Sequence, residues 1–365
     1  MKKLRRPQLR RSKQPGQEKH ERITNETVAQ HREKILAGGR KFKYPVQYAQ
    51  HKLVINTILI VFLALVALVG ITGWQLYPAQ NTGAFFYRLT QLVPLPVASV
   101  DGQSVPYRDY LMQYRSSIYW LESKSRTGLI FNINSEDGKR QADHFKRQSL
   151  DRAIENAYAQ KVADERGLSV SEADIDAFIS AALKTSSKQS KLSQDAYKAV
   201  LSDSLGVSAD EYRLIVKQAL LKQKVAFAID QTAKANIESA QSELAKKAVF
   251  EDVVVKYSDD DFAKSAKGDI GFVPRSNQDQ GLVQAALKLK PGESSNIIKA
   301  NDAYYIVKLI ETKPAQVHYA RLKVQLSEFD HQLSSLKEEG KVKEYIKVVK
   351  EGPNKVSKAN KSDGS

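Results

Sequence analysis

The chain has 365 residues, with 57 Lys/Arg against 41 Asp/Glu, a formal net charge of +16 and 42% hydrophobic side chains. It contains no cysteine and six histidines, which excludes a disulfide framework, a cysteine zinc site, a thiol nucleophile and a lipidated cysteine. No His-Glu-x-x-His, P-loop or Gly-x-Ser-x-Gly pattern is present, so metal hydrolases, P-loop NTPases and α/β-hydrolases fit poorly, and neither a metal nor a cofactor is implied.

The excess charge is concentrated at one end. Residues 1–52 hold 15 Lys/Arg against Glu18, Glu21, Glu26 and Glu33, a net +11. The 22 residues from Leu53 to Trp74 carry no charge, and the next charged side chain is Arg88. A bilayer core of about 30 Å needs roughly 20 helical residues, and Trp74 and Tyr77 stand at the far end, where aromatic rings favour the headgroup level. A buried core helix of this length would show a polar face. A cleaved signal peptide would need an n-region of 52 residues and a shorter apolar core. The pattern therefore predicts an uncleaved signal anchor over 53–77. Arg40, Lys41, Lys43 and Lys52 place the arm 1–52 in the cytoplasm and the rest of the chain outside, as a single-pass protein of the cell membrane. The arm reads as a topology determinant that also attracts anionic headgroups. Nucleic-acid binding is the competing reading of such an arm and is not expected here.

After the span, residues 78–97 are dense in apolar side chains, as in a segment lying near the membrane surface or packing on the next domain. Two short extended runs flank Asp101-Gly102, a pair suited to a tight hairpin. Helical spacing of apolar residues follows over 107–123, 141–166 and 172–184, the last opened by Ser171 and Asp174 in a capping-box arrangement. Residues 185–195 are Ser/Lys-rich and read as a loop, and Ser208 caps a further helix running past Leu221. These helices carry core stripes rather than a catalytic constellation.

A second kind of pattern begins near 236 with an amphipathic helix to 249. It continues through Phe250-Glu-Asp-Val-Val-Val-Lys-Tyr-Ser-Asp-Asp260, Gly268-Asp-Ile-Gly-Phe-Val-Pro-Arg275, a helix from Leu282 to Leu289, Lys290-Pro-Gly-Glu293, and the strand Ala303-Tyr-Tyr-Ile-Val-Lys-Leu-Ile310. This series resembles the parvulin (PpiC/rotamase) class of peptidyl-prolyl isomerases, in order and over about 75 residues. The helical region before it, opening with Val97-Ala-Ser-Val-Asp-Gly102, resembles the amino-terminal chaperone domain of SurA- and PrsA-type foldases, and the whole is similar to membrane-anchored foldases of the SurA/PrsA/PpiD kind. The implied architecture is a single N-terminal transmembrane helix, an α-helical SurA-N-like chaperone domain and an α+β parvulin-like domain. The expected divisions are a basic arm 1–52, the anchor 53–77, the chaperone domain 78–232, the parvulin-like domain 233–326, and a helix with a solvated tail over 327–365.

The resemblance breaks at one element. Parvulins open with a strand of the type A-S-H-I-L-V, and no such strand precedes the helix at 236. Val317-His-Tyr-Ala-Arg-Leu-Lys-Val-Gln-Leu326 instead follows the last family strand, and Ala320–Val324 fits the missing one. A hairpin through Lys313-Pro-Ala-Gln316 would make the sheet circularly permuted. The alternative is that 317–326 begins a second, truncated domain.

Isomerising a prolyl bond faces a barrier of about 18–20 kcal/mol. Parvulins place a histidine on each of the first and last strands. On this resemblance those positions fall on Arg321 and Tyr305, while His318 lies on the opposite strand face. The family's pocket Met and Phe fall on Gln278 and Leu282, and its Asp on Asp269. The resemblance thus implies catalytic roles for Tyr305 and Asp269, and a polar, basic peptide-binding groove of Arg321, Lys323, Gln278 and Leu282. Three functions stay open: a chaperone-like foldase for unfolded exported polypeptides that has lost its catalytic histidines, an active isomerase, or a non-catalytic adaptor at the envelope or export machinery.

Overall fold

The computed structural model describes residues 24–125, 132–186, 194–277 and 279–349. Residues 1–23 of the basic arm, most of the expected loop 185–195, Gln278 and the tail from Gly352 lie outside the described residues.

Helix α1 (Asn25–Leu76) contains the apolar run. Its segment His51–Leu76, 26 residues, is long and apolar enough to cross a membrane, and none of its most apolar stretch is buried by protein. At 1.5 Å per residue that segment is about 39 Å long.

From Thr72 onward the chain forms one compact unit. Helix α2 (Ala84–Leu92) leads to strands β1 (Pro96–Val100) and β2 (Gln103–Pro106). These form the expected hairpin, with Asp101 and Gly102 both at positive φ (45° and 84°), the conformation such a turn requires. Helices α3 (Tyr107–Ser125), α4 (Glu136–Arg166), α5 (Glu172–Ser186), α6 (Gln194–Leu205) and α7 (Ala209–Ile229) follow. Their ends obey local chemistry. Ser171 and Asp174 exchange side chain–backbone bonds of 3.0 and 3.2 Å. Ser208 and Glu211 complete a capping box at α7, so donors that a helix start leaves unpaired are satisfied.

The second part comprises α8 (Gln231–Ala245), α9 (Phe250–Tyr257), α10 (Asp261–Ser265), β3 (Asp269–Pro274), α11 (Leu282–Ala286), β4 (Ile298–Ala300), β5 (Ala303–Thr312) and β6 (Gln316–Gln325). The four strands form an antiparallel sheet in the order β3-β6-β5-β4. Strand β6 lies at its centre, bonded to β5 from Ala303↔Gln325 to Thr312↔Val317 and to β3 from Asp269↔Ala320 to Pro274↔Gln316. Strand β5 is almost wholly buried over 303–309, as expected of a sheet covered on both faces. Tyr304, Ile306, Ala320, Leu322 and Val324 pack with Ile237, Phe250, Val253 and Val254 in the main core. Tyr305, Val307, Leu309, Val317 and Tyr319 pack with Leu282, Val283 and Ala286 in a second core. Strand alternation sorts the two sets.

The chain then turns back. Helix α12 (Glu328–Glu338) and strand β7 (Val342–Glu344) rejoin the first region. Phe329 meets the Tyr158 ring of α4 at 5.1 Å. Strand β7 pairs antiparallel with β1, giving a three-stranded sheet in the order β2-β1-β7. The expectation of helix and tail over 327–365 omits this strand. Three residues are too few to show a strand period in sequence. The main core runs without interruption from the α3–α4 region to the face of β5 and β6.

Candidate functional site

The site follows from side-chain alternation on β5 and β6. Tyr305 stands opposite Lys323, and Val307 opposite Arg321, so Tyr305, Arg321, Lys323 and Tyr319 share one face. Strand β3 covers β6 only as far as Ala320. Beyond it, residues 258–260 take over the edge. The Asp259 amide donates to the Lys323 carbonyl at 2.8 Å, and the Gln325 amide to Asp259 Oδ2 at 3.0 Å.

This run delivers Asp260 to Arg321. Asp260 accepts the Ala263 amide at 3.0 Å, capping α10, and the Arg321 Nη2 at 2.5 Å. Burial alone would raise its pKa, but the Ala263 amide and the Arg321 guanidinium outweigh it and hold the carboxylate below its usual range. Arg321 Nε is buried without a hydrogen-bond partner among the described residues. Tyr305 is 5% exposed. No described residue hydrogen-bonds its hydroxyl, and burial, then the charge of Asp302, raises its pKa. On the same face Tyr319 donates to Asp279 Oδ2 at 2.8 Å, and Asp279 also accepts the Val283 amide at the start of α11. That pair fixes α11 over the face. The Tyr319 hydroxyl and the Asp260 carboxylate are already engaged, so the donors left to an amide on this face are the Tyr305 hydroxyl and Arg321 Nε, and rotation about a prolyl bond needs no nucleophile.

The structure brings together Tyr305, Arg321 and Lys323 on one face, with Leu282 against it. It does not make that face an open basic groove. Tyr305 and Leu282 belong to the second core, because α11 covers the strands there, and the Lys323 ammonium is held by Gln325 at 2.8 Å. Gln278 lies outside the described residues. Asp269 and Tyr305 are not assembled into one constellation. Asp269 pairs with Ala320, whose side chain enters the main core on the opposite face. There the Asp269 carboxylate meets His318 Nε2 at 2.6 Å and the Gly271 amide at 2.7 Å. Burial would raise its pKa, but these partners lower it. Asp260 is the residue that sequence reasoning missed. Its signal was the Ser258-Asp-Asp260 run just before a short helix, an N-cap pattern.

Clefts elsewhere do not include these residues. One of about 400 Å³ lies between α4 and α12, and one of about 600 Å³ between the end of α8 and residues 292–296.

Comparison with known proteins fits this geometry. Residues 47–226 match the SurA-like N-terminal domain family, and residues 215–311 the PPIC-type PPIase domain. The second match starts inside α7 and stops before β6. The chain is 28% identical over 121 residues to the foldase protein PrsA of Staphylococcus aureus strains bovine RF122 / ET3-1, MRSA252 and Newman. That alignment takes in 31% of this chain and 38% of each relative, so it spans well under half the length of the curated proteins. With a SurA-like helical domain followed by a PPIC-type domain, the chain is similar in domain order to parvulin-type, SurA/PrsA-like foldases.

Proposed function

We propose that this protein is a membrane-anchored, extracytoplasmic foldase that holds unfolded exported polypeptides and has little isomerase activity. The observation that carries the reading is the occupancy of the two strand positions that bear histidines in the family. Here they hold Tyr305 and Arg321, with Arg321 engaged by Asp260. A neutral phenol and a paired guanidinium can bind a peptide amide, but they cannot exchange protons near pH 7 as histidine does. The apolar segment His51–Leu76 supports anchoring, and the basic arm before it supports a cytoplasmic N-terminus. The central position of β6, reached from the C-terminal side of β5, supports a permuted parvulin sheet.

A second reading, an active isomerase, draws on the Tyr305 hydroxyl, which has no partner among the described residues. The full chain in nanodiscs separates the readings. We expect it to suppress aggregation of an unfolded client while leaving proline-limited refolding near its uncatalysed rate. Accelerated refolding that Tyr305→Phe abolishes would establish the isomerase instead. Absence of both effects would leave the adaptor role at the envelope or export machinery as the surviving alternative.

A further inference from the structure

Helix α2 has two unlike faces. Phe86, Tyr87 and Thr90 turn inward, and Thr90 is buried. Phe85 and Leu92, seven residues apart and so on one helical face, are 68% and 82% exposed, and Val93 just beyond is 42% exposed. A soluble surface seldom groups large apolar side chains in this way without a partner.

What lies beside the patch identifies that partner. The end of α1 is fixed to the folded region: the Tyr107 hydroxyl donates to the Leu76 carbonyl at 2.5 Å, and the Tyr77 hydroxyl to the Pro96 carbonyl at 2.8 Å. Arg115 Nη1 holds the linker at the Thr82 carbonyl at 2.6 Å. Val93 is therefore three residues, at most about 11 Å of chain, from a residue bonded to the end of the apolar segment. Trp74 is 61% exposed in that same last stretch. Arg88, exposed on the same side of α2, is the first charged residue after the span.

From this continuity we infer that the exposed face of α2, with Val93, rests in the headgroup region of the lipid bilayer, as a second contact beside the span. Apolar side chains enter the acyl boundary, and Arg88 meets lipid phosphate. The inference rests on the reading of His51–Leu76 as a membrane span, and the test separates the two.

The natural chain has no cysteine, so single nitroxide labels can be placed in the full chain at Phe85→Cys, Leu92→Cys and Val93→Cys, with Leu59→Cys in the apolar segment and Asp330→Cys on α12 as references. In phosphatidylcholine–phosphatidylglycerol nanodiscs, relative accessibility to oxygen and to a nickel chelate reports depth. We expect Leu59 deep, Asp330 aqueous and the three α2 positions at the interface. Labels on α2 as aqueous as Asp330, with Leu59 deep, would overturn the surface contact and leave the span standing. An aqueous Leu59 label would overturn both. Labels on α2 that are aqueous in nanodiscs but shielded in native membranes would overturn the lipid assignment in favour of a protein partner.

Discussion

The carboxylate of Asp230 accepts the backbone amide of Ser327, 97 residues further along the chain, at 2.8 Å. The same oxygen accepts the Glu328 amide at 3.1 Å, and the other accepts the Ala233 amide at 2.8 Å. One side chain, 2% exposed, therefore serves the starts of both α8, where the chain leaves the helical region, and α12, where it returns.

Asp230→Ala removes three acceptor contacts and leaves the buried Ala233 amide and the more exposed Ser327 and Glu328 amides without this partner. A lost cap costs about 1 kcal/mol and a buried unsatisfied donor about 1–3 kcal/mol, so a loss of about 2–4 kcal/mol is expected. Denaturant unfolding of the full chain in detergent measures it. Proteolytic cutting near 230 and 327 should rise before cutting elsewhere, and a stability change under about 0.5 kcal/mol would contradict the shared cap.

Asp260 predicts an acid response. Its folded-state pKa is held below the usual value by the Ala263 amide and Arg321 against the opposing effect of burial. Its contribution to stability is therefore complete above the unfolded carboxylate value, about 3.9, and is lost as pH falls through the lower folded value. Asp260→Asn should destabilise the protein at neutral pH and narrow its difference from the natural chain below about pH 4. Unfolding curves across pH 2–7, on the order of six points, decide this; a constant difference would reject the assignment.

Arg147 joins β7 to α4. It bonds Asp151 at 2.8 Å through both Nε and Nη2, and Glu344 of β7 at 3.0 and 2.9 Å. Breaking a buried pair costs about 3–5 kcal/mol. Both carboxylates here are partly exposed, so we expect about 2 kcal/mol from Arg147→Ala. Hydrogen exchange localises the effect. The Tyr345 amide, which donates to the Val97 carbonyl at 2.9 Å, should lose protection while amides of β5 keep theirs.

Strand β6 is central, so its removal should be severe. Ending the chain at Ala315 would strip β5 and β3 of their shared partner and expose a row of backbone donors and acceptors. We expect the second part to lose cooperative unfolding and β5 to lose amide protection. Retention of a protected β5 in the shortened chain would show that β6 is dispensable.

Gly268 offers a finer probe of the same region. It has a φ of +89°, and a Cβ there would lie 3.0 Å from the Arg321 carbonyl oxygen and from the Val254 Cγ2. Its own carbonyl accepts the Arg321 amide at 2.8 Å. Gly268→Ala should cost at least about 1 kcal/mol from backbone conformation alone, read by denaturant unfolding, and an unchanged stability would contradict the strain.

The sequence by itself determined the elements whose signals are local. The uncharged run from Leu53 to Trp74, the Asp101-Gly102 turn, the caps at Ser171 and Ser208, and the order of motifs from Phe250 to Ile310 each depend on side chains within a few residues of one another. Alternation along Ala320–Val324 also separated Arg321 and Lys323 from Ala320, Leu322 and Val324. Only the tertiary structure decided the rest. It placed β6 between β3 and β5, covered the Tyr305 face with α11, put Asp269 on the opposite face beside His318, delivered Asp260 to Arg321, and brought β7 back to β1. Each of these joins residues far apart in the chain, and what an exposed-looking pattern meets across a sheet depends on packing that no local spacing encodes.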